Sequence, residues 1–333
     1  MSDQSDVIVK LDDRVRLMSA VLAATNFPEK AQQVKRHGTH AHARATRKYV
    51  SEHNQHPAVQ STQALLDQGT PLEALFTLAL LLSWPELHLE TLPRWVPAGY
   101  SAHLRDFYLV TRLDQFWQSE RVAWDKALKE SNNVFNKVDF KTFLKPFLGD
   151  ISETFTFIPT VSFPADRELG LKLGKEIVCL APPPLAWGES PPWAYDEPTQ
   201  ITMSIRAALT VYARILLLTY LRSNAGQLAE ISKNDLPISD QFKVQHPTWE
   251  DQFAALFCMA VVAMYLESHV NEAEYKAYVL IEKKARGQAL LPGTISVMRR
   301  YLQEKGSNKY SSLIEFLPFF PKQLRVAQKI VTL

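Results

Sequence analysis

Two stretches that would be apolar on nearly every face of a helix constrain this chain of 333 residues most: "AALTVYARILLLTYL" (207–221) and "FAALFCMAVVAMYL" (253–266). A surface helix carries one apolar stripe, whereas a helix apolar all round needs neighbours on every side. Each run is shorter than the ~20 residues of a membrane-spanning helix. Arg214 also interrupts the first. Both are therefore expected at the centre of a protein core, with no membrane implied. "LEALFTLALLLSW" (72–84) is a third run of the same kind. A chain of this length buries ~75% of its unfolded surface and needs no disulfide or metal for stability.

Composition narrows the class. Hydrophobic residues make up 46% and charged residues 22%, values of a globular chain rather than a disordered one. A net charge of +2 supplies no global field for DNA or an anionic membrane. Cys179 and Cys258 sit among apolar neighbours and read as buried free thiols, which suits a reducing compartment. The start, "MSDQSDVIVK", lacks the basic and apolar regions of a signal peptide. A cytoplasmic location is expected.

Local pattern then orders the elements. "DVIVKL" (6–11) alternates as a short strand, and Asp12 or Asp13 caps a helix to about Ala24. His56-Pro57 opens another helix that Gly69 stops. Helices are expected over about 101–131 and 138–148, with Phe107, Leu113, Trp117 and Trp124 on a buried face. "TFTFIPTVSF" (154–163) and "KEIVCLAP" (175–182) read as two strands of a hairpin, with "PADRELGLKLG" as the turn-bearing connection. "APPPLAWGESPPWAYDEP" (181–198) is too rich in proline for helix or central strand and too apolar for a flexible linker. Helices return at 199–224, 248–267, 271–286 and 292–305. The expected fold is α+β and predominantly helical. It is a single large domain (1–333) in which a small antiparallel sheet, the N-terminal strand plus a hairpin near 154–182, packs against buried helices. Its parts are helices over 12–148, the hairpin and proline-rich loop over 149–198, and helices over 199–333.

Chemistry-bearing residues are sparse. "HGTHAHARATRKYVSEHNQH" holds His37, His40, His42, His53 and His56, but none of these are spaced by four, the interval that places two ligands one turn apart. A surface helix with solvated histidines is the simpler expectation, and no metal or cofactor is implied. Residues 29–48 carry Lys30, Lys35, Arg36, Arg44, Arg47 and Lys48 against Glu29, yet only Tyr49 is near as a stacking platform, so nucleic acid is not favoured. Ser190 in "WGESPPW" precedes two prolines and cannot form a nucleophile elbow. Glu267, His269, Glu272 and Glu274 are explained by helix-end capping. The remaining candidates are Trp187, Trp193 and Tyr195, which a proline-stiffened loop presents as a possible binding surface.

The order of segments carries a resemblance. "RVRLMSAVLAATNFPEKAQ", "HPAVQSTQALLDQGTPLEALFTLALLLSWPEL", "LRDFYLVTRLDQFW" and the terminal "YLQEKGSNKYSSLIEFLPFFPKQL" resemble uncharacterised bacterial proteins related to gluzincin-type zinc metallopeptidases. The resemblance implies a zinc helix with His-Glu-x-x-His at "TQITMSIRAALTVYARILLLTYL" and a glutamate ligand on "WEDQFAALFCMAVVAMYLE". The first contains no histidine and no acid, and the second has acids only in its first turn and at its end. The resemblance therefore implies a degenerate member without catalytic residues, acting by binding a peptide, a protein or a second copy of itself. The alternatives are a hydrolase with a site between the hairpin and the 199–222 helix, and a nucleic-acid-associated protein using 29–48.

Overall fold

The computed structural model describes residues 5–186 and 188–331. β1 (Val7–Val9) leads into α1 (Asp13–Ala24), α2 (Phe27–Val34), α3 (Ala41–Val50), α4 (Pro57–Asp67) and α5 (Leu72–Leu81). There follow α6 (Tyr100–Val110), α7 (Leu113–Ser119), α8 (Arg121–Phe135) and α9 (Phe140–Leu148). The strands β2 (Thr154–Pro159), β3 (Leu169–Leu173) and β4 (Glu176–Ala181) come next. The rest is helical: α10 (Ile201–Ser223), α11 (Ala225–Ile231), α12 (Asp240–Gln245), α13 (Trp249–Tyr265), α14 (Glu272–Lys284), α15 (Leu291–Gly306), α16 (Leu313–Phe316) and α17 (Phe320–Val331). The chain is of the α+β class, mostly helical with one small sheet.

Contacts within the chain group into two compact units, one of residues 1–138 with 153–208 and one of 139–152 with 209–333. In the first, the sheet has the order β1-β2-β4-β3. It is mixed, which corrects the antiparallel sheet expected from sequence. β1 pairs with β2 and β2 with β4 in parallel, and only β3 runs antiparallel to β4. The cause is β3, which lies in the segment read as a connection. Leu173 pairs with Glu176 across a turn at Gly174, whose φ of 58° suits glycine. The chain thus reverses twice between β2 and β4, and the two run the same way. Both faces of β2 are buried, as in parallel strands generally. Ile158, Val178, Leu180 and Leu171 join the core built by α1, α4, α5 and α6. Phe157 meets Phe135 of α8, ring centres 4.6 Å apart.

Caps set the helix starts. The Asp12 side chain accepts from the Arg14 amide at 3.0 Å and also binds the Arg14 guanidinium. That guanidinium donates to the carbonyls of Leu80 (2.6 Å) and Leu82 (3.0 Å), two of the orphan acceptors at the end of α5. The helix expected over 101–131 is broken twice. Arg112 adopts a left-handed conformation (φ 49°) between α6 and α7, and a second break at Glu120 begins α8. The side chains expected on its buried face, Phe107, Leu113, Trp117 and Trp124, are buried.

In the second unit α13 is the central element. Its residues from Phe253 to Tyr265 are buried except at two half-exposed positions, and it packs on α15 and α14. Phe257 and Tyr301 close on Phe147 of α9, and Phe253 meets Phe320 of α17 edge-on at 5.0 Å. Asn271 caps α14 by accepting from the Glu274 amide at 2.8 Å. Glu267 pairs with Arg299 and Glu272 with Lys276, so these acids serve helix ends and surfaces. The helical segments Ile201–Ser223 and Trp249–Val270 extend past the apolar runs to 23 and 22 residues. By length and composition both pass for membrane spans, and 61% and 67% of their most apolar windows are buried inside the protein.

Leu217, on α10, has no exposed surface. Leu217→Ala should lower the unfolding free energy by about 2–5 kcal/mol, the range for buried leucines. Chemical denaturation with an unchanged m-value measures it, and a change under about 1 kcal/mol would contradict this burial.

Candidate functional site

Parts of two segments singled out in the sequence, "RHGTH" and "WGESPPW", meet in the first unit, at Gly38 and at Glu189 and Ser190. The turn between α2 and α3 is shaped by Gln32. Its side-chain oxygen accepts from the His37 amide at 3.2 Å and its nitrogen donates to the His37 carbonyl at 3.0 Å. His37 Nδ1 donates to the Lys35 carbonyl at 2.9 Å. The inward-facing polar groups of this turn are thereby used, as buried polar groups require. Gly38 then lies against the proline-rich loop, and a Cβ at that position would overlap the Ser190 carbonyl. Arg36 and Glu189 pair across the contact at 3.6 Å, and Lys35 reaches Asp166 at 3.1 Å. Gln32, Gln33, Arg36 and Glu189 line an open hollow of about 510 Å³.

The proline-rich loop is anchored at both ends. The Trp193 amide donates to the Pro184 carbonyl at 2.8 Å. Tyr195 is an internal pin, which corrects its expected place on a binding surface. Its hydroxyl donates to the Ala181 carbonyl (2.7 Å) and accepts from the Thr160 amide (3.0 Å), joining the chain at the carboxyl ends of β4 and β2. It is 1% exposed, and burial pushes its phenol well above the usual range. Trp193 is 37% exposed and does stand at the surface. Gly188, Glu189, Ser190 and Pro191 beside it are exposed too. Trp187 lies outside the described residues. Pro183 and Pro184 are buried, so only the tip of the loop is presented.

The histidines are not a solvated face, contrary to expectation. His40 and His56 are N-caps. Each Nδ1 accepts the amide two residues on, at 3.1 Å, as an Asn or Asp oxygen would. His42 is 2% exposed. Its Nε2 accepts from the Trp124 indole at 2.7 Å, which puts its proton on Nδ1, bonded to Glu120. Burial lowers the His42 pKa, with the Glu120 carboxylate opposing. Arg16 lies over the rings of Trp117 (4.3 Å) and Trp124 (4.5 Å), so a cation also bears on this network. With both ring nitrogens engaged, His42 is no free general base. Spacing carried no sign of this, because Glu120 and Trp124 are brought to His42 only by packing.

The basic segment is largely neutralised. Lys30 pairs with Asp67, Lys35 with Asp166, Arg36 with Glu189 and Arg47 with Glu29. Among the described residues no three His, Cys, Asp or Glu side chains are grouped to hold a metal ion. α10, where the gluzincin resemblance would place the zinc helix, offers no histidine or acid, so its residues do not fit zinc. Beside the β3–β4 hairpin and the start of α10, Arg206 pairs with Glu168 at 3.1 Å. Cys179 there is fully buried, and burial raises its thiol well above the usual range, so it remains a protonated thiol. Cys258 is likewise buried and pushed up to about 12. No family model, curated protein or solved structure matches this chain, and the gluzincin resemblance rests on the sequence segments alone.

Gly38→Ala should destabilise by about 1–3 kcal/mol because backbone, not a flexible side chain, must move. Gly226→Ala, with nothing within 4 Å of the new Cβ, should be neutral or stabilising by up to about 1 kcal/mol. Equal melting temperatures for the two variants would refute the docking of the two loops.

A second outcome concerns acid. Burial first, then the neighbouring His42 and Arg44 charges, lower the His40 pKa from 6.5 to about 4. The unfolded chain therefore binds this proton before the folded one does. The resulting stability is full above about pH 6.5 and is lost as pH falls toward about 4. His40→Asn keeps the cap and removes the titration, so its melting temperature should fall less steeply across that window. An identical slope in both proteins would count against the burial of this ring.

Proposed function

We propose that this protein is a non-catalytic binding protein whose partner-facing surface is the exposed tip of the proline-rich loop. The observation that carries the reading is the seating of Ser190 on Gly38. It leaves Glu189, Pro191 and Trp193 outward on a segment held from both sides. A surface that is ordered before binding loses little conformational entropy on association. Tryptophan in turn is one of the residue types enriched at binding hot spots. The partner that fits is a protein with an apolar slot for the tryptophan and a polar rim for the exposed Arg36–Glu189 pair beside it.

A photo-crosslinking amino acid at Trp193, compared with one at Val244 (80% exposed), tests this in living cells. The expected result is one reproducible adduct from position 193, absent from position 244 and weakened by Gly38→Ala. Twice the protomer mass would identify the partner as a second copy. The same adduct pattern from both positions would overturn the reading.

A further inference from the structure

A second cleft in the first unit, separate in its lining residues from the loop tip, has a distinctive chemistry. It measures about 380 Å³, within the ~300–1,000 Å³ of ligand sites, and lies among the end of α1, the start of α2, the end of α3 and α4. Its floor is apolar: Ala23 and Val59 are buried and Ala24 half-buried. Its walls carry five carboxamides beside the Arg47–Glu29 pair and the hydroxyls of Thr25 and Ser51. Two of these are committed to the fold. Gln63 accepts from the Asn26 amide at 3.0 Å and donates to Asp67, and Gln60 donates to the Asn54 carbonyl at 2.7 Å. The other three belong to Asn26, Asn54 and Gln55, exposed residues that line the cleft and whose side chains make no hydrogen bond among the described residues. Asn26 stands at the N-cap position of α2 yet makes no side-chain cap.

We propose that this cleft binds an extended peptide through its main chain. A carboxamide presents one carbonyl acceptor and an NH₂ donor, the same pair that a peptide group offers in return. Free carboxamides around an apolar floor can therefore bond successive peptide groups while the floor receives a small side chain. Other ligands fit less well. Arg47, the cation on the wall, is paired with Glu29, so no uncommitted positive charge selects an anion. None of the lining residues is aromatic, so a nucleobase has no ring to stack on. Recognition through the main chain is largely independent of peptide sequence, with selection limited to the size of the residue over Ala23 and Val59.

The test uses the full chain labelled with nitrogen-15 and the blocked peptide acetyl-tetraalanine-N-methylamide, with maltotetraose as the neutral polyhydroxylated control. Side-chain amide signals of Asn26, Asn54 and Gln55 should shift saturably with millimolar peptide and stay in place with maltotetraose. In the double variant Asn54→Leu, Gln55→Leu, the Asn26 signal should report binding weakened about tenfold or more, as for loss of hydrogen bonds to neutral groups. Both positions are exposed, and an unchanged melting temperature confirms the fold. Signals that do not move with peptide, that move equally well in the double variant, or that move with maltotetraose alone would each overturn the proposal. None of these outcomes depends on Trp193.

Discussion

The parallel pairing of β1 with β2 is the constraint on which the first unit depends. Val7 pairs with Phe155, so the two ends of a long crossover must be brought together before the strands gain a single hydrogen bond. Parallel strands cannot be joined by a tight turn. Here the intervening chain supplies the helices that bury the sheet. α8 brings Phe135 to Phe157, and α5 brings Phe76 to Phe163, just beyond β2. A three-residue strand contributes little by itself. Its place is secured by the bond from the Asp6 amide to the Val138 carbonyl and from the Lys10 amide to the Phe157 carbonyl at its two ends.

That sheet sets the geometry of the loops. The carboxyl ends of β2 and β4 lie side by side, so the segments leaving them can share one anchor, the Tyr195 hydroxyl. A single hydroxyl both donates and accepts there, leaving two backbone groups satisfied in the interior. The proline-rich loop therefore leaves the sheet with a defined direction. Its tip comes to rest on Gly38, where any larger residue would hold it away. The exposed tryptophan is thus a consequence of sheet, pin and close approach acting in sequence.

The histidine-rich stretch shows how one residue type serves unlike physical roles. As N-caps, His40 and His56 use a neutral ring nitrogen as an acceptor. As a buried link, His42 both donates and accepts. In each case one ring nitrogen accepts a hydrogen bond from a neighbouring N–H. Charges nearby are arranged in pairs. Arg47 with Glu29 and Arg36 with Glu189 convert a basic stretch of sequence into a surface of mixed sign.

Local physics alone determined the strong helices, their caps and the apolar core. Asp12, the His56-Pro57 start, Asn271 and the two all-apolar runs act through neighbours a few residues away or through burial itself. The alternation Leu169, Leu171, Leu173 was legible as a strand but masked by the glycines and charges around it, and with it went the direction of β2. What only the tertiary structure decided were the meetings of distant residues: Glu120 and Trp124 with His42, Ser190 with Gly38, and acids from elsewhere with the basic segment. Spacing along a chain encodes contacts one turn or one strand away. Contacts across dozens of residues are fixed by how the helices pack, which no local pattern states.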